Sequence, residues 1–266
     1  MAKYVCRSNR VGPFLEAAAD HPERVLVALD FDGTLSDVVP DPTRAYIHPD
    51  AREALGRLID RIGQVAIITG RPVDQVQELG CLDQRLLSKL IILGQYGAER
   101  LDANGRQVPE VPTAVRLAWG ELQALVEAHP GVFLEDKHHA VAVHTRRATP
   151  GTLERIEAEV VAVAARHDLD IEPGREVLEL RAHRISKGDT LLALLRELQL
   201  ETITMVGDDL GDVPAFDVVA SHRARGHHGL IVVSSSDERP ELAERADVLC
   251  DGPAGVAQWL DQIAPD

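Results

Sequence analysis

Six short apolar runs, at residues 25–29, 65–68, 90–93, 202–206, 230–233 and 246–249, constrain the fold of this chain more than any other feature. They are rich in Val, Ile and Leu and do not alternate with polar residues. Parallel strands covered on both faces have this pattern. Amphipathic stretches such as 50–62 and 189–198 lie between the runs. A βαβα rhythm of this kind predicts a doubly wound α/β sheet. Three runs lead into polar signatures: Asp30-Phe31-Asp32-Gly33-Thr34, Thr69-Gly70-Arg71 and Gly207-Asp208-Asp209. Ligands of open α/β sheets bind beyond the carboxyl ends of the strands, so three distant segments point reactive groups into one crevice.

The middle of the chain breaks the rhythm. Beyond the turn dipeptide Asn104-Gly105, a helical pattern at 114–128 precedes strand-like runs at 132–137 and 140–145. A second helix is expected at 153–167, with Thr149-Pro150 as N-cap and first-turn residue. Strand-like runs at 169–172 and 177–181 close the block. The order αββαββ predicts a small α+β unit, residues 109–182, inserted into a sheet domain formed by 1–108 and 183–266. Hinges are expected near 108–112 and 182–186.

Acidic residues outnumber basic ones, 43 to 28, and the net charge is −15. Such a field repels a nucleic acid backbone, and a small anionic substrate needs a local basic pocket to overcome it. No run approaches the roughly 18 apolar residues of a membrane helix, and residues 1–13 lack the apolar run of a secretory signal. A cytoplasmic protein is the expectation. Cys6, Cys81 and Cys250 are odd in number and form no CxxC pair, so neither a disulfide framework nor a zinc site is expected. His138-His139 and His227-His228 are read as exposed, because neighbours on a strand point to opposite faces.

Asp30 and Asp32 stand two apart at the end of a buried strand, where carboxylates are costly without a purpose. Mg²⁺ supplies one, since it takes one or two carboxylates together with phosphate oxygens and water. An aspartate can also attack phosphorus to form an acyl phosphate. A neighbouring carboxyl can protonate the leaving alkoxide and then deprotonate water. Asp30 fits the nucleophile and Asp32 the general acid/base. The hydroxyl of Thr69 and nearby N–H groups can hold a phosphate oxygen, helped by a following helix N-terminus. Lys187 opens a helix, the electrostatically wrong end for a cation. That mismatch suggests it neutralises Asp30 and a phosphoryl group. Asp208 is the natural third metal ligand. Asp209 or Asp212 would bind water in the metal's outer shell or orient Lys187.

The set Asp30-x-Asp32-x-Thr34, Thr69, Lys187 and Gly207-Asp208-Asp209-x-x-Asp212 resembles the haloacid dehalogenase superfamily, in its phosphatase branch. The resemblance implies a Rossmann-like core with a mobile C2B-type cap. It also implies Mg²⁺ held by Asp30, Asp208 and the backbone carbonyl of Asp32. The inserted segments resemble the trehalose-6-phosphate phosphatase family, which shows a Glu-x-Lys, a later His-x-Arg and a Glu-x-Arg before the Lys-Gly. By that match Glu135, Lys137, His144, Arg146 and Glu179 are candidate sugar contacts, and Thr34, Arg71 and Gln95-Tyr96-Gly97 are contacts from the core. Carboxylates accept hydrogen bonds from sugar hydroxyls, and Lys, His and Arg donate them. Departures from the family pattern are Gly211 and Val213, Ala182 after Glu179-Leu180-Arg181, and Thr145 in place of the usual tyrosine. The implied reaction is hydrolysis of trehalose 6-phosphate, with the cap closing over the disaccharide; association with a trehalose-6-phosphate synthase is compatible with it. Other readings are a phosphatase of sucrose phosphate or a glycosylglycerate phosphate, a phosphosugar mutase, and a non-catalytic phosphosugar-binding subunit.

Overall fold

The computed structural model describes residues 2–107, 111–137, 139–174, 176–182, 185–235 and 240–263. In chain order its strands are β1 (Tyr4–Cys6), β2 (Val25–Leu29), β3 (Gln64–Ile68), β4 (Leu90–Gly94), β5 (Glu99–Asp102), β6 (Gly105–Gln107), β7 (Phe133–Asp136), β8 (Ala140–His144), β9 (Asp170–Gly174), β10 (Val177–Arg181), β11 (Thr202–Gly207), β12 (His228–Ser235) and β13 (Val248–Asp251). The α-helices are α1 (Val11–Asp20), α2 (Pro49–Leu58), α3 (Val73–Leu79), α4 (Gln84–Leu87), α5 (Thr113–Ala128), α6 (Thr152–Arg166), α7 (Lys187–Leu198), α8 (Val213–Ala224) and α9 (Gly252–Ile263).

The chain divides into two compact units, Met1–Val108 with Ile185–Asp266, and Pro109–Arg184. Residues 108–110 and 183–184, which hold the expected boundaries, lie outside the described residues.

The first unit is built on one sheet in the order β1-β13-β12-β11-β2-β3-β4-β5-β6. From β13 to β4 the pairings are parallel. Each of the six apolar runs overlaps one of these six parallel strands, the last of them, 246–249, starting two residues before β13. Val25, Val27 and Leu29 join one apolar cluster, with side chains of α1, α2, α3 and α9. Leu26 and Ala28 join the other, with α7 and α8. Both sheet faces are thus buried, which is why the strands read as continuous apolar runs. The edges are antiparallel: β1 on β13, and β5 and β6 beyond β4.

In the second unit the antiparallel sheet β7-β8-β10-β9 carries α5 and α6 on one face. Val141, Val143, Leu178 and Leu180 point into that core. The expected N-cap at Thr149 is corrected. Gly151, at φ +81°, takes the N-cap position, while the Thr149 carbonyl accepts from the Thr152 amide at 3.1 Å and so closes a turn ahead of the helix. Among the histidine pairs, His227 and His228 are exposed and His139 is half-buried; His138 lies outside the described residues.

No described helix is long and apolar enough to cross a membrane. All three cysteines are free thiols. Cys6 and Cys81 are exposed, whereas burial pushes the Cys250 thiol up to about 12. Thiolates are the reactive form. Ellman's reagent should therefore titrate two thiols in the native protein and the third only in denaturant; three fast thiols would contradict the burial of Cys250.

Candidate active site

The ends of β2 and β11, adjacent and parallel, bring the Asp30–Thr34 and Gly207–Asp209 motifs together. The Asp30 amide donates to the Val206 carbonyl at 2.9 Å, extending the ladder by one residue. The chain then turns sharply: the amides of Leu35 and Ser36 both donate to the Phe31 carbonyl, at 2.8 and 2.9 Å. Gly33 makes this turn possible. It sits at φ +65°, and a Cβ there would fall 2.0 Å from Asp208 Oδ2. Buried Ser234, at the end of β12, pins the turn by donating from Oγ to the Gly33 carbonyl at 2.6 Å. Sequence reasoning missed this residue, although a polar side chain directly after an apolar run, here 230–233, is the signal that marked the other motifs.

Lys187 is the first residue of α7. Ser186 caps the helix in a reciprocal pair with Asp189, which satisfies N-terminal amides that a lysine cannot serve. The Lys187 side chain is 4% exposed, and its Nζ lies 2.8 Å from both Asp30 Oδ2 and Asp212 Oδ1. Asp212 Oδ2 accepts from the amides of Asp208 and Asp209, at 3.0 and 3.2 Å. Asp212 thus orients Lys187 and shapes the acidic turn. A Cβ on Gly188 would meet the Pro214 carbonyl oxygen at 2.6 Å, so glycine lets α7 lie close to the start of α8.

Carboxylate oxygens of Asp30, Asp208, Asp209 and Asp212 lie within 4.8 Å of one another. Burial alone would drive the Lys187 ammonium down, but the charges of Asp30 and Asp212 outweigh it and hold its pKa above the usual lysine value. One ammonium cannot balance four acids. Burial raises Asp30 despite the pull of Lys187. Burial, then the charges of Asp30, Asp212 and Asp209, pushes Asp208 up to about 8. Burial and the charge of Asp30 push Asp212 up to about 7. A hard divalent cation with oxygen ligands fits this donor set, because it would offset the surplus negative charge.

The other core residues divide. Thr69 is buried, and its Oγ1 accepts from the Arg71 amide at 3.2 Å, leaving the hydroxyl proton to donate. At the start of the next helix, α3, the Val73 amide donates to Glu99 Oε2 at 2.9 Å. Thr34 is fully buried, and its Oγ1 has no hydrogen-bond partner. Asp32 stands outside the acidic cluster. Arg71 grips it with two bonds of 2.7 Å, while also donating to the Pro42 carbonyl and lying over the Phe31 ring. The backbone of Tyr96 is tied to Thr69 by a 2.8 Å bond from its amide.

In the second unit, strand register puts Glu135, Ala142, Glu179 and Glu172 in one row across the sheet. Side chains two residues apart share a face, so Phe133, His144, Glu135, Lys137, Glu179 and Arg181 all stand on the face opposite α5 and α6. Glu135 Oε2 lies 2.7 Å from His144 Nε2, and Lys137 Nζ donates to Glu179 Oε2 at 2.7 Å. Arg181 Nε donates to Glu179 Oε1 at 2.7 Å. Burial would raise the Glu179 carboxyl, but Lys137 and Arg181 outweigh it and hold it low. The His144 ring stacks on Phe133 with centroids 4.8 Å apart. Arg146, beyond the end of β8, is exposed. The structure thus brings Glu135, Lys137, His144 and Glu179 together and leaves Arg146 at the strand end.

Comparison with known proteins agrees with this architecture. A trehalose-phosphate phosphatase of Mycobacterium tuberculosis is 35% identical over 250 residues, covering 90% of this chain and 61% of that protein. The chain therefore spans about six tenths of the length of the curated relatives it matches. The structure of trehalose-6-phosphate phosphatase from Aspergillus fumigatus superposes with a TM-score of 0.71 at 22% identity, over 96% of this chain and 97% of that one. A haloacid dehalogenase-like hydrolase from Bacteroides thetaiotaomicron superposes at 0.61 and 17% identity, over 90% and 98%. Both likenesses show a shared α/β fold. The trehalose-phosphatase family model matches residues 28–250, from the strand bearing Asp30 to the last strand of the sheet, and on that match the chain belongs to the trehalose-phosphatase family.

Proposed function

We propose that this chain is a Mg²⁺-dependent phosphatase that hydrolyses trehalose 6-phosphate to trehalose and phosphate. The observation that carries the reading is the buried Asp30 carboxylate, 2.8 Å from Lys187 Nζ and inside a cluster of acids at the ends of β2 and β11. Asp30 attacks phosphorus and forms a phosphoaspartate as the sugar 6-oxygen leaves. Asp32 protonates that oxygen and then takes a proton from the water that cleaves the acyl phosphate. Because both Asp32 oxygens rest in the Arg71 fork, this role requires one of them to be freed. Lys187, held by Asp212, offsets charge on Asp30 and the phosphoryl group, and the Thr69 hydroxyl donates to a phosphoryl oxygen. Mg²⁺ would be held by Asp30, Asp208 and the Asp32 carbonyl, with Asp209 beside it, and would neutralise phosphate charge.

The second unit, residues 109–182 in this reading, acts as a cap that supplies sugar specificity through Glu135, Lys137, His144, Arg146 and Glu179. Thr34 and Arg71 support the substrate from the core. Paired acids and bases on one β-face suit a hydroxyl-rich ligand. Glu135→Ala or Glu179→Ala should lower kcat/KM for trehalose 6-phosphate at least about tenfold, the loss of one charged hydrogen bond, and p-nitrophenyl phosphate hydrolysis by less than twofold. Equal losses on both substrates would argue against a sugar-reading face.

Free thiols suit a reducing compartment, so the cytoplasm is the proposed site of action. Association with a trehalose-6-phosphate synthase fits the same pathway step and is testable by co-sedimentation. Phosphate release from a panel of sugar phosphates, with Mg²⁺ and with EDTA, tests the function. Metal-dependent preference for trehalose 6-phosphate is expected. Preference for another sugar would discard the specificity and keep the chemistry, and no release from any compound would overturn the enzyme reading.

A further inference from the structure

A cavity of about 270 Å³ lies between α7 and α8 in the first unit, with Leu192, Leu195, Val218, Arg196, His222 and Arg225 in its lining. Lys187 stands at the N-terminal end of α7 and Asp212 directly precedes α8, whereas the cavity sits at the C-terminal halves of both helices. Along α7, Arg196 is about 13 Å of helix rise from Lys187. The cavity is thus separate from the acidic cluster.

Its chemistry is unusual for this chain. The floor is aliphatic: Leu195 belongs to the core on that face of the sheet, and half-buried Val218 packs against it. The rim is cationic, in a protein of net charge −15. Nearby acids are engaged elsewhere: Glu197 with Arg100, Glu201 with Arg24, and Asp217 with Arg245. Among the described residues, the guanidinium groups of Arg196 and Arg225 have neither a carboxylate partner nor a hydrogen bond. His222 Nε2 lies 2.9 Å from the Glu201 carbonyl, which fixes its ring, and the His227 ring stacks on it at 4.4 Å and 18°. Two unpaired arginines therefore flank an apolar slot beside a flat imidazole surface. Arginine offers a planar fork to carboxylate, sulfonate or phosphate, and flat rings offer stacking area. The volume lies just below the roughly 300 Å³ at which small-molecule pockets begin, so one or two fused rings fit.

We propose that this cavity binds a small aromatic anion, its ring on the Leu192–Val218 floor and its acidic group between Arg196 and Arg225. The site is independent of the catalytic reading. The test titrates the protein with 1-naphthalenesulfonate, which a phosphatase cannot hydrolyse, followed by ligand fluorescence. Saturable binding to wild type is expected, with uncharged 1-naphthol binding at least about fivefold more weakly. The double variant R196Q/R225Q should weaken sulfonate binding by about tenfold while phosphate release and thermal melting stay unchanged. R225E alone should weaken it at least as much as the double variant. No saturable binding by wild type, or a loss below about fivefold in the double variant, would overturn the site. So would sulfonate binding that survives both substitutions and is displaced by inorganic phosphate, because that would place the probe in the catalytic cluster.

Discussion

Asp30→Asn should lower kcat by at least about four orders of magnitude, the scale seen when a covalent nucleophile is removed. Asparagine keeps nearly the shape of aspartate but supplies no anionic oxygen to attack phosphorus. The fold should survive the change. Asp30 is buried and faces Asp208, Asp209 and Asp212, so neutralising it relieves repulsion among them. Lys187 retains Asp212 at 2.8 Å. Stopped-time phosphate assays on the variant, paired with thermal melting, separate the two effects. Activity within a hundredfold of wild type in a folded variant would remove Asp30 from the nucleophile's role. Acid quench of the wild type during turnover should trap acid-stable label from a ³²P substrate on the protein, and the variant should trap none.

The central strands are legible because each is covered on both faces, so composition alone betrays them. The run at 25–29 is also the strand, and all five residues are buried. The edges carry no such mark. β1 has three residues, and β5 reads Glu-Arg-Leu-Asp, a polar segment whose Glu99 is buried only because it caps α3 and meets Arg106. The second unit is legible for a different reason: its helices follow a clean 3.6-residue period, and β10 falls at 177–181 as expected.

In the site, the local signals are present in the sequence and the tertiary contacts are not. A lysine at a helix start is anomalous by itself, and the structure explains it with two carboxylates, one 25 positions downstream. Arg71 is different. Its grip on Asp32 depends on the loop at Pro42 and on the turn after β3 meeting beyond the sheet edge, which spacing does not encode. The start of α3 after Thr69 shows the same limit, since its first amide donates to Glu99, 26 positions away. A pattern of residues can announce a reactive group, but it cannot say which of its neighbours is already occupied.

Asp208→Asn should remove both the Mg²⁺ stabilisation of the protein and much of the alkaline weakness of the metal-free form. The sign follows from linkage. In the metal-free protein burial and neighbouring acids push Asp208 up to about 8, well above an unfolded aspartate near 3.9. The folded state therefore holds a proton that the unfolded state has released. Stability is fully present below the unfolded value and falls as pH rises, by up to about 1.4 kcal/mol per pH unit, until the folded group also ionises. Asp212, pushed up to about 7, adds to the same trend below that point. EDTA-treated wild type should consequently melt lower at pH 9 than at pH 5, with a steeper drop than the Asp208→Asn variant, which has no such proton to lose. Mg²⁺ at pH 8 should raise the wild-type melting temperature by several degrees, because a ligand that binds only the folded state stabilises it, and should leave the variant nearly unmoved. Matching pH profiles in the two proteins, or equal Mg²⁺ shifts, would mean that Asp208 does not carry the surplus charge of the cluster. A steep wild-type profile that Mg²⁺ flattens and Asp208→Asn abolishes would instead identify that charge as the feature that selects a divalent cation.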